Sequence, residues 1–513
     1  MASSEMPIGT EYLDQVQASL DSTMPWIGMY IAAASAICTL AMAADAFNGF
    51  RSKKYWLPCK YFTLNAFSLT LLAVAMKLPV DLTNLEKTVN DNLARISSLV
   101  LMSTAMSNLM TSLGAMESNE ILLNMAALGI LVITIAGNIC IHLVQMRGFP
   151  YVLYVLLPQQ ATFVAFMLFF LVMLCCMSLM VAGAKRYIRL KYDEVHNAVS
   201  VRQVQYWGKI SVAEVENMVK GYWVMAQTNS SQFALASSAI SPILGLLCLF
   251  VALFLLIARI RDSSVISVPS WKTHNYFWSG TSNYGWSIRW IMNIQCVGVA
   301  IGTIAPLMRW FAALRFKISQ TERKSFRDEV KVGKYWTLML VEWRDRSLPF
   351  QFQNRVCKKL LRNAVRFVMN FCIGVQILIV SVGKLVLFLS ARFGRAVLLC
   401  LCKNERPVLV GAHVRFSQYV LPLEGELQLP YKILNNICNE VDKLIKVGET
   451  KQPKNLIQLL NKSSSFSGVG RFDSSQVSSL HSQEPPNCWT LPVVTLTAFQ
   501  LLFSTLQTRR LTT

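Results

Sequence analysis

A single lysine, Lys384, stands inside FVMNFCIGVQILIVSVGKLVLFLSARFGRAVLLCLC, the apolar stretch from Phe367 to Cys402. An ammonium group at the centre of a bilayer costs at least about 3 kcal/mol, so an ionisable residue held there is a functional candidate by default. As one unbroken helix the stretch would be about 54 Å long, nearly twice a bilayer core. A span of ordinary length from Phe367 ends near Leu389. Lys384 then lies within about two turns of that end, where its stem can snorkel to the headgroups. A boundary lysine and a buried working charge are the two readings, and the first is expected. It leaves Arg392 and Arg395 facing outward unless Gly383 or Gly394 makes a re-entrant turn or 391–402 lies in the interface.

Other polar residues in apolar surroundings are few. Asp45 and Lys77 sit at the ends of apolar runs, whereas Asn124, Asn138, Asn293 and Gln295 are deeper or flank a run. Such side chains line a path or join helices by hydrogen bonds. Pro242, in ISPILG, and Gly302 with Pro306, in AIGTIAPLM, are expected to break two helices and expose carbonyls, and paired broken helices mark transporters.

Enzymatic signatures are missing. The chain has no GxxxxGK[ST], HExxH, GxSxG or GxGxxG, and its histidines, His142, His196, His274, His413 and His481, are scattered. Its cysteines form no CxxC pair and mostly fall in apolar runs, where Cys acts as a small hydrophobe. No catalytic residue, cofactor or metal is expected, and the chain reads as non-enzymatic. Cys400 and Cys402 at a membrane edge are weak palmitoylation candidates.

The elements that would position these residues are membrane helices. The 513 residues are 53% hydrophobic and 15% charged, with mean hydropathy +0.41, against about 25% charge in soluble domains. The deficit is concentrated in runs of spanning length, so the fold class is all-α, a polytopic helical membrane protein with about eight transmembrane helices and helical cytosolic loops. The expected spans are 26–44, 61–76, 97–116, 121–146, 162–184, 233–258, 290–308 and 367–389. The third, rich in Ser and Thr, suits contact with helices rather than lipid.

Orientation follows from basic residues at span ends. Arg51, Lys53, Lys54 and Lys60 follow the first span, KRYIRLK follows the fifth, and fourteen Lys or Arg against five acids lie between Arg309 and Arg362. With five spans before Lys185 all three loops are cytosolic and the acidic N-terminus is outside. The net charge of +21 thus reflects cytosolic loops facing anionic lipid rather than nucleic acid. The first 24 residues hold four acids and no base, unlike a signal peptide. The compartment is open between plasma membrane and endomembranes.

The expected organisation is an acidic tail (1–24), a five-span region (25–184), a cytosolic helical loop (185–232), a two-span region with an aromatic outer loop (233–313), a basic cytosolic helical loop (314–366), the eighth span with an interfacial or re-entrant segment (367–402), a polar tail with amphipathic helices (403–486) and an apolar C-terminal segment (487–507). Ser211 with Glu214, and Ser319 with Glu322, have capping-box spacing. Residues 433–447 suit an amphipathic helix. In the basic loop Trp336, Leu340 and Trp343 share one helical face. That face docks on its own bundle, lies on lipid or binds a cytosolic protein partner. The leading functional expectation is a membrane scaffold or partner-binding protein; the alternative is a channel or transporter for an ion or small solute.

The stretch KVGKYWTLMLVEWRDR, Lys331 to Arg346, with VCKKLLRNAVRFVMNFCIGVQILIVSVGKL and EPPNCWTLPVVTLT, resembles a plant family of multi-pass membrane proteins with no established activity. The resemblance implies a membrane location and a plant origin, and carries over no functional residue.

Overall fold

The computed structural model describes residues 22–52, 57–82, 89–145, 157–204, 212–228, 231–266, 282–319, 331–346, 355–401, 419–420 and 434–443. Most of these are helical, with no strand among them. The N-terminal tail, most of the aromatic loop before Ser287, 205–211 with Ser211 of the first predicted capping box, 320–330 with Glu322 of the second, and 444–513 with its apolar segment lie outside the described residues.

Helix α1 (Met24–Arg51) starts with Pro25 in its first turn, where a missing N–H costs nothing. Its buried face is mostly small (Gly28, Ala32, Ser35, Thr39, Ala46 and Gly49), whereas Trp26, Tyr30, Leu40 and Phe47 point outward. Small residues inside and large apolar ones outside is the arrangement lipid demands, since hydrocarbon gives apolar side chains no reason to turn inward. On α5 (Ser118–Gln145) Leu123, Ile130 and Val144 also point outward, but its buried face is built of larger side chains such as Ile121, Met125, Leu128 and Ile135.

Seven helices are long and apolar enough to cross a membrane. They are α1, α4 (Val89–Leu109, continued by a 3-10 stretch, Met110–Ala115), α5, α6 (Leu157–Val204), α9 (Ile240–Ile266), α10 (Ser287–Ser319) and α12 (Arg355–Leu401). The eighth expected span, at 61–76, is not one continuous helix. It forms α2 (Ala66–Ala75) and the single turn α3 (Lys77–Val80). Ten residues reach only about 15 Å. The helix starts late because Asn65 caps it: its side chain accepts from Ser68 N while Ser68 Oγ accepts from Asn65 N.

Paired residues fix how the helices run. Gly28 of α1 lies against Ser287 of α10 and Gly302 of α10 against Met42 of α1, so the two are parallel. Asp91 meets Ser282, Ser98 meets Gln295 and Asn108 meets Gly302, so α4 is parallel to α10. Gln160 meets Asn92 and Lys185 meets Met116, which makes α6 parallel too. Helix α5 runs back, its His142 beside Arg95, and so does α9, its Gly245 beside Pro306 and its Arg259 beside Asn293. The chain from Leu57 to Asp81 also runs back by a broken path, touching Arg309, Ser112, Gln295 and Arg95 in turn. One end of the bundle therefore carries Lys185, Arg186, Arg189, Lys191, Arg315 and Lys317 and is called the basic end.

At the basic end lie α7 (Val212–Thr228) and α8 (Ser231–Ala236), between the end of α6 and the start of α9; Ser231 Oγ donates to Gly114 O. A 3-10 turn (Lys334–Trp336) and α11 (Leu338–Asp345) join them, tied to α6 by the Arg186–Glu342 ion pair at 2.6 Å. The tail returns to this end. Tyr419 packs on Tyr222 with ring centroids 6.2 Å apart, and Asp442, in the helix 434–443, takes Lys220 at 2.7 Å.

One further expectation is corrected. Pro242 falls in the first turn of α9, where it starts the helix rather than breaking it. Ser319 is the last residue of α10, and its expected capping partner Glu322 lies outside the described residues.

Candidate functional site

The expected weakest span is the centre of the molecule. All of the spanning window of α4 is buried, against about half or less for the other candidates except α6. Yet α4 and its 3-10 extension bury eleven polar or charged residues: Asp91, Asn92, Arg95, Ser97, Ser98, Ser103, Thr104, Ser107, Asn108, Thr111 and Ser112. The least hydrophobic helix sits where no lipid reaches it.

These groups form a ladder along the bundle axis. At the end opposite the basic one, Arg95 Nη1 donates to His142 Nδ1 at 2.8 Å, and Nη2 lies 3.5 Å from Asp81 O. A guanidinium only donates, so His142 accepts on Nδ1 and carries its proton on Nε2. Tyr284 OH donates to Asp81 Oδ2 at 2.9 Å, Ser282 Oγ donates to Asp91, and Gln160 Nε2 donates to Asn92 Oδ1 at 3.2 Å. Burial, with the Asp81 carboxylate added, pushes the Tyr284 phenol above its ordinary range.

One step further, Gln295 is fully buried and joins four segments. Its Oε1 accepts from Ser97 Oγ (2.7 Å) and Ser98 Oγ (2.9 Å), and its Nε2 donates to Ser35 Oγ (3.2 Å) and Ala75 O (3.4 Å). Next, Asn108 Nδ2 donates to Gly302 O at 2.6 Å. The reason lies in Pro306. It has no N–H, so the Gly302 carbonyl four residues earlier loses its helical donor, and Asn108 replaces it. The expected exposed carbonyl of α10 is thus occupied by α4, and α10 continues through Pro306 as one helix.

At the basic end Arg309 is buried and donates to Ser107 O (3.2 Å), Leu57 O (3.1 Å) and Thr111 Oγ1 (3.2 Å). Asp45 accepts three backbone N–H bonds, from Lys60 (2.8 Å), Tyr61 (2.8 Å) and Phe62 (2.9 Å). Both ions hold the start of the broken crossing, whose extended backbone has no helical partners of its own.

Of the residues expected from the sequence, Gln295 and Asp45 enter this ladder. Asn124 joins it indirectly, donating to Leu64 O at 3.1 Å. Asn293 instead accepts from Arg259 Nη2 at 2.8 Å on the exposed side, Asn138 is half-buried on α5, and Lys77 is exposed. Arg95, Asp81, Asp91 and Arg309 escaped sequence reading because a charge at the edge of an apolar window reads as loop. His142 had looked like an isolated polar residue.

Lys384 is corrected. Helix α12 continues unbroken from Arg355 to Leu401, so no re-entrant turn forms at Gly383 or Gly394, and Lys384 does not snorkel outward. It faces the protein, and its Nζ donates to Lys331 O at 2.7 Å. Of the three readings of the Trp336, Leu340 and Trp343 face, docking on the bundle is the one the contacts fit. Trp336 and Leu340 are buried, Trp336 within the main apolar cluster, and Gln376 Nε2 donates to Trp336 O at 2.6 Å. Only Trp343 is half-exposed. The face docks on its own bundle.

Among the described residues no group of three or more His, Cys, Asp or Glu could hold a metal ion. No family model, curated protein or solved structure matches the chain.

Proposed function

We propose that this integral membrane protein is a non-enzymatic channel or transporter, moving an ion or small polar solute along the α4 ladder. The observation that supports this reading is a fully enclosed helix carrying eleven buried polar residues inside a lipid-facing bundle. Adhesion between helices does not account for it. A hydrogen bond between membrane helices contributes about 0.6 kcal/mol on average, which apolar packing supplies as well. A buried arginine costs more than that, and the ladder has one near each end. The discontinuous crossing from Leu57 to Asp81, lying against the ladder, is a further transporter feature.

The scaffold reading drew on the loop helices and on the Trp336 face, of which the bundle covers Trp336 and Leu340. By the positive-inside rule the basic end is cytosolic.

The test is flux in sealed vesicles holding the purified protein, with potassium, chloride, protons, phosphate and neutral amino acids as probes. Flux of at least one probe, abolished by Gln295→Leu while thermal unfolding in detergent persists as a single transition, is expected. A folded, reconstituted protein that passes none of them refutes the proposal.

A further inference from the structure

Helix α12 is long and apolar enough to cross a bilayer, yet the contacts described for it run only from the middle of the bundle to its basic end. Asn370 Oδ1 accepts from Arg344 Nη1 at 3.3 Å. Gln376 reaches the carbonyls of Trp336 and Cys176, Gly383 lies on Ala239 O, and Lys384 holds Lys331 O. Gly394 lies beside Leu314 and Ile318, and Arg395 Nη2 donates to Lys317 O at 3.1 Å. These partners are the start of α9, the finish of α10 and the turn and helix at 331–346, all at the basic end, and Cys176 near the middle of α6. From Asn370 to Arg395 the helix advances about 37 Å, more than a bilayer core, without reaching the opposite end. The apolar cluster at that opposite end, around Ile31, Leu78, Tyr284 and Ile288, contains no residue of α12.

The tail supplies an independent constraint. Helix α7 belongs to the basic end, since it lies between the end of α6 and the start of α9. Tyr419 and Asp442, which follow α12, pack on Tyr222 and Lys220 of α7. A single crossing by α12 would put them on the other side of the membrane from their partners.

The surface of α12 has a matching division. At 100° per residue Lys359, Asn363, Asn370, Ser381 and Arg392 fall within about 60° of one another, a mainly polar sector interrupted by Ile377 and Phe388. Phe367, Phe371, Leu378, Leu389 and Phe393 form an apolar stripe, each more than half exposed. The helix carries eight Lys or Arg and no Asp or Glu. An apolar stripe with a wholly cationic complement is the composition that anionic bilayer surfaces bind.

We propose that α12 lies along the cytosolic membrane surface instead of crossing it, with its apolar stripe in the acyl layer of the inner leaflet and its basic residues on anionic headgroups. The bundle then crosses seven times, by six helices and the broken segment from Leu57 to Asp81. Arg392, Arg395 and the tail stay in the cytosol, in keeping with the positive-inside rule. This assignment stands whether or not the protein transports anything.

The test uses the full-length chain in sealed membranes, with one epitope inserted between residues 350 and 351 and another after residue 405. Both are expected to show the same protease accessibility; opposite accessibility overturns the proposal. Depth is measured separately in phosphatidylcholine–phosphatidylserine vesicles, with spin labels at Phe371→Cys, Val382→Cys and Phe393→Cys in a cysteine-depleted chain. Equal, shallow immersion is expected, and a label at 382 much deeper than the other two overturns it. Arg362→Glu with Arg366→Glu is expected to move the label at 371 toward water when phosphatidylserine is present. Unchanged immersion there overturns the headgroup contact.

Discussion

Asp45 offers the sharpest test of how the broken crossing is held. Its carboxylate accepts the N–H groups of Lys60, Tyr61 and Phe62 at 2.8–2.9 Å, in a stretch with no helix to satisfy them. Asp45→Ala leaves three donors without their acceptor. Each hydrogen bond to a charged group contributes about 1.5–3 kcal/mol, and nearby backbone relaxes to recover part of it, so a loss of about 4–6 kcal/mol is expected. Asp45→Asn keeps one oxygen for Lys60 and Tyr61 but turns an amide N–H toward Phe62 N, a donor facing a donor. It loses about 2–3 kcal/mol on the same scale. The assay is unfolding of the purified protein in detergent, followed by helical circular dichroism across a denaturant series. The expected order is wild type, then Asn, then Ala, with Ala costing about twice as much as Asn. Equal losses for the two variants, or a loss under about 1 kcal/mol for Ala, would refute the claim that this carboxylate organises the crossing.

Other perturbations are expected to read out as follows. At Gly245 an added Cβ would stand 2.7 Å from Pro306 O and 2.8 Å from Trp310 Cβ. Gly245→Ala should therefore cost about 1–3 kcal/mol in the same unfolding assay, while Gly129→Ala, with open space around it, should cost nothing. Asn108→Leu should destabilise by about 1 kcal/mol or more, and less in a Pro306→Ala background, where residue 306 regains the N–H that serves Gly302 O; a double-mutant cycle with no coupling would contradict the substitution of one donor by the other. Asp345 is held below the usual carboxylate range by its hydrogen bond to Arg344. A depressed carboxyl adds stability above its unfolded pKa and loses it as pH falls through the folded one. Asp345 is exposed and Arg344 half-exposed, so Asp345→Asn should leave the melting temperature nearly unchanged at neutral pH and physiological salt.

Much of the helical scaffold was legible because hydropathy reports what lipid will accept. The apolar cores of α1, α5, α9 and α10 fall within the windows read from sequence. The same signal says little about where a helix stops. KRYIRLK does not end α6, which runs on to Val204, because charges leave the bilayer without breaking a helix. At 61–76 the converse holds: the window is apolar, but Asn65 and Ser68 delay the helix by capping it. The site was half legible. Gln295 is polar amid apolar neighbours and so was visible, whereas Arg95 and Arg309 sit at window edges and become interior only when α4 is surrounded. Periodicity grouped Trp336 with Leu340 correctly; which surface their shared face meets is a tertiary fact.

Helix α6 has a mechanical consequence. Its 48 residues form a rod about 72 Å long, of which a bilayer core can hold less than half. Near Gln160 it touches the polar cluster on α4, and far along it is tied to α11 through Arg186 and Glu342. A stiff rod gripped by the bundle is a lever. A tilt of about 5° at the buried end would sweep its tip by roughly 6 Å, so a movement too small to reorder the ladder would be large beyond the basic end of the bundle.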